Sequence, residues 1–287
     1  CTFNRKCREI VHGLSASLGE EEFLVNAEKA VTVLYENYNR ESHKDIKEIL
    51  IDIQKSIDIA KQLTRYGIPT GFEKLDKYIV GMCPRHSWVL AGYTSHGKST
   101  VLSQLIDNIC QKFSMLVFSV EDSKEDKLIR LIATKTGIPI TYIVRGEGDN
   151  ALIQKAKEAI GNYDLTIYDD IYTLEDMDMK IKKHKMTDKG LEVVAIDFIQ
   201  NIQTKSEKIY DRMSEVAIGL QKLAKKHAVC ILGLSQISEG KDKNSISLRG
   251  AQEIASSADI VLWIDREPDK RDFRLIIRKN RPFGITG

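Results

Sequence analysis

The sequence has no apolar run of the length that crosses a bilayer. A membrane-spanning helix needs about 18–20 consecutive apolar residues, and charged residues, 29% of the chain, interrupt the apolar stretches well before that length. The amino terminus also lacks the charged-then-apolar pattern of a signal peptide. We therefore expect no membrane partner. The first residue is Cys1 rather than methionine, so we expect the chain to be a piece of a longer protein.

Cysteine is scarce, and neither charge sign is in excess. The five cysteines are an odd number without any CxxC pair, which argues against a disulfide framework and a zinc site. We interpret them as reduced, mostly buried thiols of an intracellular protein. The 43 Lys and Arg residues nearly balance 41 Asp and Glu residues. Any nucleic-acid contact must therefore depend on where individual charges lie.

Residues 1–65 and 66–287 differ in pattern and predict two regions. The first has helical patterns at 20–38 and 44–63, and a turn-rich segment at 66–72 ends it. The helix at 44–63 has an apolar stripe with the spacing of one helix face: Ile46, Ile49, Leu50, Ile53, Ile57 and Ala60. This stripe packs either on its own domain or on a neighbouring subunit.

Beyond residue 66, short apolar runs alternate with helical patterns. The runs lie at 88–91, 115–120, 165–168, 193–196, 229–234, 260–264 and 273–277. The helical patterns lie at 99–112, 124–135, 151–160, 174–184 and 211–227. Most runs are continuously apolar, as strands buried on both faces are. The alternation predicts an α/β fold with a central, mostly parallel twisted sheet.

The most informative segment is GYTSHGKST at 92–100, which fits the phosphate-loop pattern GxxxxGK[ST] between a strand and a helix. Gly92 and Gly97 allow backbone conformations that direct N–H groups at phosphate oxygens, beside a helix amino terminus that favours anions. Lys98 would reach the β- and γ-phosphates, and Ser99 would bind Mg²⁺. The sequence thus predicts ATP, or another nucleoside triphosphate, and Mg²⁺ as ligands. The remaining loop candidates are Ser95, His96 and Thr100.

Three further strands end in polar side chains that suit phosphate hydrolysis. Asp197 ends the strand at 193–196 in a Walker B pattern and would hold Mg²⁺ through water. Glu121 ends the run at 115–120 and is our candidate general base. The adjacent Asp122 is the alternative base, although an acidic N-cap for the helix near residue 124 suits it better. Gln236 follows a third strand and could sense the γ-phosphate.

Taken together, these motifs resemble the DnaB family of replicative helicases, within the RecA-like motor superfamily. The resemblance covers about 270 residues. The segment GIPTGFEKLD at 67–76 is similar to the entry to the family's motor domain, and 92–100, 118–123, IDFIQ at 196–200 and LSQ at 234–236 follow in the family's order. Residues 212–224 resemble the helix before LSQ, 248–261 the family's DNA-loop region, and KNRPFG at 279–284 the terminal Lys-x-Arg motif.

The resemblance implies a RecA-like P-loop motor that works as a hexameric ring with ATP between subunits. One subunit would supply Lys98, Ser99, Glu121, Asp197 and Gln236. The next would supply Arg281 as an arginine finger, with Lys279 beside it; Arg274, Arg278 and Lys279 are the alternatives. The helix at 44–63 resembles the linker helix that docks on the adjacent motor.

The resemblance also implies single-stranded DNA as a partner, gripped by its phosphates in the central channel. Arg249 and Gly250 match the family's DNA loop, and Lys205 and Lys208 lie in a second candidate loop. A primase and a helicase loader are further implied partners. Unwinding would run 5′ to 3′, in the cytoplasm of a bacterium or phage-infected cell, near the nucleoid.

Two alternatives share parts of this pattern. A RecA-like recombination or repair ATPase would bind or remodel DNA without unwinding it. An inactive RecA-fold scaffold would not need intact Lys98, Ser99, Asp197 and Glu121. The helix at 44–63 and the Lys279-x-Arg281 terminus favour the helicase.

Overall fold

The computed structural model describes residues 45–63, 67–186, 190–206, 208–237, 251–266 and 272–284. The chain divides into two units between Leu63 and Thr64. In the first, helix α1 spans Ile46–Leu63, as its periodicity predicts. Its apolar residues Ile46, Leu50 and Ile53 are exposed. The pattern predicted at 20–38 lies outside the described residues.

In the second unit, the described strands form one seven-stranded sheet. They are β1 (Ser87–Tyr93), β2 (Met115–Ser119), β3 (Leu165–Tyr168), β4 (Val193–Asp197), β5 (Cys230–Ile237), β6 (Ile260–Asp265) and β7 (Arg274–Asn280). Their order is β3-β2-β4-β5-β1-β6-β7. All neighbours pair in parallel except β6 and β7. The predicted α/β class and mostly parallel sheet are confirmed.

Helices cover both faces of this sheet. They are α2 (Glu73–Ile79), α3 (Lys98–Ile109), α4 (Lys124–Thr136), α5 (Ile140–Arg145), α6 (Asn150–Gly161), α7 (Leu174–Lys185), α8 (Ile209–His227) and α9 (Ala251–Ser257), with a 3₁₀ turn at Ile199–Asn201. The short helices α2, α5 and α9 were not expected from periodicity. Among the described residues, no helix has both the length and the apolar character needed to span a membrane.

The central strands are buried on both sides, so two cores form. In β1, Val89 and Ala91 face one core while Trp88 and Leu90 face the other. This is the period-two alternation of a strand. Because both faces need apolar side chains, these strands read as continuous apolar runs in the sequence.

The segment that precedes β1 contains a tight backbone approach at Gly81. Ile68 and Met82 exchange backbone hydrogen bonds of 3.0 and 2.7 Å. Gly81 lies next to this pairing and has φ +86°. A Cβ on Gly81 would lie 2.7 Å from the carbonyl oxygen of Ile68, and a backbone atom cannot rotate away.

We expect Gly81→Ala to lower the free energy of unfolding by about 2–3 kcal/mol, because strain at positive φ adds to this clash. Thermal or urea unfolding would measure it. Gly161→Ala is the matched control, since nothing lies within 4 Å of a Cβ there and the residue ends α6. It should be neutral or slightly stabilising. Equal losses in both variants would contradict the explanation.

Candidate nucleotide-binding site

The phosphate loop joins the end of β1 to the start of α3. Ser95 and Gly97 have φ +64° and +91°, and Gly97 is the N-cap of α3. The Nζ of Lys98 donates hydrogen bonds to the carbonyl oxygens of Gly92 (3.0 Å) and Tyr93 (2.8 Å). The loop therefore has the strand-turn-helix geometry that presents backbone N–H groups to phosphate.

The two candidate carboxylates lie beside this loop because β2 and β4 are neighbours in the sheet. Ser119 pairs with Asp197 in the register of the two strands. The Ser99 hydroxyl lies 3.3 Å from Oδ2 of Asp197, which is buried at 2% exposure. Glu121 follows β2 and lines the same cavity as Lys98 and Ser99.

Gln236 reaches the loop from β5, a parallel neighbour of β1 in the sheet. Its Nε2 donates to Oγ1 of Thr94 at 2.6 Å. The Gln200 side chain holds this strand end: its Nε2 donates to the Gln236 carbonyl at 2.8 Å and to Oγ of Ser235 at 2.9 Å. The phosphate loop and the polar end of β5 are thus linked side chain to side chain.

The predicted groups surround one mainly polar cavity of about 320 Å³. Its lining residues are Thr94, Ser95, Gly97, Lys98, Ser99, Thr100, Glu121, Asp122, Arg130, Asp197, Phe198, Gln236 and Arg266. His96 and Gly92 belong to the loop but are not in this lining. Two mainly apolar grooves elsewhere on the described surface, about 570 and 640 Å³, are larger and share no lining residue with this cavity.

Burial and neighbouring charges perturb two groups in this cavity. Burial lowers the pKa of Lys98, while the nearby Asp197 and Glu121 carboxylates partly oppose that shift. Burial raises the pKa of Glu121, and the Asp122 and Asp197 carboxylates raise it further, against Lys127 and Lys98. A raised pKa makes the Glu121 carboxylate a stronger proton acceptor, as a general base requires.

Four residues to which the sequence assigned no role line the site or hold its side chains in place. They are Lys127, Arg130, Gln200 and Arg266. Lys127 donates to Oδ2 of both Asp122 and Asp197. Arg130 and Arg266 line the cavity. The sequence indicates the burial of Lys127 only weakly, through its position one helical turn before Leu131 on the buried face of α4.

The N-cap expected at Asp122 is wrong. Ser123 caps α4, because its hydroxyl accepts from the backbone N–H of Asp126 at 3.1 Å. Ser123 has the extended backbone conformation of a cap, with φ −64° and ψ 157°. Asp122 instead forms an ion pair with Lys127 at 2.8 Å.

The main finger candidates, Lys279 and Arg281, lie at the opposite end of the sheet, whereas the alternative Arg274 pairs with Asp265 at the phosphate-loop end of β6. Strand β7 is antiparallel, and Asn280 at its end pairs with Ile260, the first residue of β6. The seven residues of β1, about 20 Å, separate that edge from the phosphate loop. Lys279 and Arg281 therefore do not join Lys98 in the cavity of the same chain.

At that edge, Lys279 is engaged and Arg281 is more open. The Lys279 Nζ donates to the carbonyl oxygens of Ala255 (3.1 Å) and Ser256 (2.6 Å). The Arg281 guanidinium lies 3.6 Å from Asp259, and its side chain is 58% exposed. The exposed guanidinium is available to a second molecule.

The DNA-contact candidates are only partly described. Arg249 and Gly250 lie outside the described residues. Residues 251–257, part of the segment that resembles the DNA loop, form helix α9, and β6 starts at Ile260. Lys205 and Lys208 are exposed in the segment before α8 and are not part of the cavity lining.

The donor atoms present fit Mg²⁺ supplied together with a nucleotide. Hydroxyl and carboxylate oxygens, as in Ser99 and Asp197, are the ligands that Mg²⁺ prefers. Among the described residues, no cluster of three or more acidic, His or Cys side chains could hold a metal ion. A magnesium ion here would accordingly need phosphate oxygens and water to complete its shell.

A mostly parallel sheet with this loop at the end of strand β1 defines a P-loop nucleoside triphosphate-binding domain of the RecA-like type. A family model described as "DnaB-like helicase C terminal domain" matches residues 67–287. The chain belongs to this family.

Relatives agree with this assignment. The chain is 26% identical over 292 residues to the replicative DNA helicase DnaC of Bacillus subtilis (strain 168), covering 93% of this chain and 64% of the relative. It is 26% identical over 289 residues to the replicative DNA helicase DnaB of Haemophilus influenzae, covering 91% and 60%. The chain thus spans about three fifths of the length of these relatives.

Two solved structures have the same fold. One, described as an ATPase domain, superposes with a TM-score of 0.74 at 24% identity, covering 83% of this chain and 92% of that one. The other, "The Structure Of A DnaB-Like Replicative Helicase And Its Interactions With Primase", has a TM-score of 0.71 at 22% identity, covering 97% and 71%.

Proposed function

We propose that this chain is the ATP-hydrolysing motor of a replicative DNA helicase. The observation that carries the proposal is the meeting of Lys98, Ser99, Glu121, Asp197 and Gln236 around one cavity in a DnaB-like helicase domain. The proposed domain boundary lies near residue 65, with a helical linker region before it. Among ATPases of this fold, the family assignment favours a helicase over a recombination enzyme.

In the proposed reaction, the loop N–H groups and Lys98 hold the β- and γ-phosphates, and Ser95, Gly97 and Thr100 line the cavity around them. The Glu121 carboxylate accepts a proton from water as the water oxygen attacks the γ-phosphorus, and the bond to the β–γ bridging oxygen breaks. Mg²⁺, oriented by Ser99 and Asp197, would neutralise phosphate charge. Gln236 would contact the γ-phosphate. Loss of that phosphate would then change the position of Gln236 and, through it, of Thr94 and β5.

The position of Arg281 supports hydrolysis between subunits. Because Lys279 and Arg281 lie at the edge opposite the phosphate loop, only a neighbouring subunit could bring them to the nucleotide. We therefore propose a homo-hexameric ring in which Arg281 completes the next subunit's site, with Lys279 beside it, and α1 docks on the adjacent motor.

Single-stranded DNA is the proposed partner of this ring. Its phosphates would be contacted by Arg249, Gly250, Lys205 and Lys208, so DNA binding should weaken as the salt concentration rises.

Partners and location follow from the same proposal. One related structure is described as a helicase with its interactions with primase, and we propose primase and a helicase loader as partners here. The site of action would be the cytoplasm of a bacterium or phage-infected cell, at the nucleoid.

Strand separation on forked duplexes tests the proposal. One fork would carry only a 5′ tail and the other only a 3′ tail, with Lys98→Ala as the control for hydrolysis. We expect ATP- and Mg²⁺-dependent unwinding of the 5′-tailed fork alone, lost in the variant. DNA-stimulated hydrolysis without separation of either fork would contradict the helicase and favour a remodelling ATPase. No hydrolysis at all would favour the scaffold.

A further inference from the structure

Lys127 is a buried lysine whose ammonium group lies against the carboxyl end of strand β4, at Asp197. Its side chain is 3% exposed, and Nζ lies 2.8 Å from Oδ2 of Asp122 and in contact with Oδ2 of Asp197. Lysines usually extend their charged end into water. A buried ammonium is tolerated only when carboxylates or other acceptors compensate its lost hydration, and here two carboxylates do so.

The partner of Lys127 is the same oxygen that we assign to the metal. Oδ2 of Asp197 accepts from Lys127 and also lies 3.3 Å from the Ser99 hydroxyl. A magnesium ion oriented by Ser99 and Asp197 would thus share its carboxylate with a positive charge already in place. Two cations on one carboxylate repel each other, and they do so more strongly in a buried site than in water.

The charges around the cavity also disfavour a divalent cation before nucleotide binds. Glu121, Asp122 and Asp197 face the cations Lys98, Arg130 and Arg266 in the lining, and Lys127 adds a fourth cation behind them. Among the described residues, the cavity without nucleotide therefore has four positive side chains and three negative ones. The phosphates of a bound nucleotide would reverse that balance and favour a divalent cation.

We propose that Lys127 is a resident counter-ion of Asp197, which positions this carboxylate and lowers the affinity of the nucleotide-free site for Mg²⁺. The metal then enters together with the triphosphate rather than ahead of it. The inference rests on the proposed metal-orienting role of Asp197. Lys127 is a positioning residue, because it acts through Asp197 and Asp122.

Binding of Mn²⁺, followed by electron paramagnetic resonance on nucleotide-free protein, tests this directly. We expect Lys127→Met and Lys127→Gln to bind Mn²⁺ at least about tenfold more tightly than the unmodified protein, because both remove the competing charge. Lys127→Arg keeps the charge and should bind Mn²⁺ as the unmodified protein does. With ADP present, the difference between Met and Arg variants should shrink, since phosphates supply much of the metal's shell.

Lys124→Met is the matched control. Lys124 lies one turn earlier on the same helix, its side chain is 54% exposed, and it pairs with Asp169 at 4.0 Å rather than with the site. Its Mn²⁺ affinity should not change. Circular dichroism and thermal unfolding would show that each variant is folded, and Lys127→Gln retains a hydrogen-bond donor should Lys127→Met fail to fold.

Two failures can be told apart. If the unmodified protein hydrolyses ATP with Mg²⁺ and loses this with Lys98→Ala, while the Met and Gln variants bind Mn²⁺ no more tightly than the Arg variant, the counter-ion role is overturned and the proposed function stands. If the unmodified protein neither hydrolyses ATP nor binds a magnesium nucleotide, the proposed function fails and the inference fails with it.

Discussion

Replacing Arg281 with alanine should lower ATP turnover by about 10³–10⁵-fold, the range typical of an arginine finger. The guanidinium adds positive charge where the γ-phosphoryl transition state collects negative charge. Nucleotide affinity should change much less, because Lys98 and the loop N–H groups remain. Steady-state hydrolysis at saturating ATP, with a fluorescent nucleotide to measure binding, would separate the two effects.

The decisive form of this experiment mixes two inactive variants. Arg281→Ala subunits retain Lys98, and Lys98→Ala subunits retain Arg281. If the site forms between subunits, mixed rings contain some sites with both residues intact, so part of the hydrolysis should return. If both groups acted within one chain, every site would lack one of them and mixing would restore nothing.

Arg278→Ala is the control and also tests an alternative finger. Arg278 is on strand β7, and its guanidinium lies 5.9 Å from the ring centroid of Trp263. Its exposed side chain makes it comparable with Arg281. We expect turnover within a few-fold of the unmodified protein. A large loss in Arg278→Ala with little loss in Arg281→Ala would transfer the finger role to Arg278.

Replacing Glu121 with glutamine should lower turnover by about 10²–10⁴-fold, the usual contribution of a general base. Glutamine preserves size but cannot accept the proton from water. Binding of a non-hydrolysable nucleotide should stay within a few-fold, because Glu121 is not assigned to the phosphates or the metal. Single-turnover hydrolysis together with nucleotide titration would measure both.

The pH dependence gives this prediction a second readout. A general base works only when deprotonated, so the rate should fall as the pH drops through the pKa of Glu121. Since burial and the Asp122 and Asp197 carboxylates raise that pKa, the fall should begin above the ordinary range of glutamate. The residual activity of Glu121→Gln should lack this acidic limb.

Asp122→Asn decides between the two acidic neighbours. Asp122 is paired with Lys127 at 2.8 Å, so its carboxylate is engaged by a cation rather than held ready for water. We expect its loss to cost less than about tenfold in turnover. A loss as large as that of Glu121→Gln, with the acidic limb abolished, would make Asp122 the base.

The sequence by itself determined the features that depend on neighbouring residues along the chain. The phosphate loop was readable because its glycines, lysine and serine lie within one strand-turn-helix unit at 92–100. The buried strands were readable because strands covered on both faces need continuous apolar runs. The sequence did not predict helices α2, α5 and α9, because six or seven residues are too few to show a 3.6-residue period.

Only the tertiary structure decided which distant residues share a surface. The order β3-β2-β4-β5-β1-β6-β7 comes from packing between remote segments. It brings Glu121, Asp197 and Gln236 together at the carboxyl ends of the parallel strands, while Arg281 lies at the opposite end of the sheet. The same packing turns Lys127 inward against Asp197. The spacing of Lys127 to Leu131 gives only a weak indication of its burial, because Asp197, the carboxylate that it contacts inside the fold, comes from the end of β4, 70 residues further along the chain.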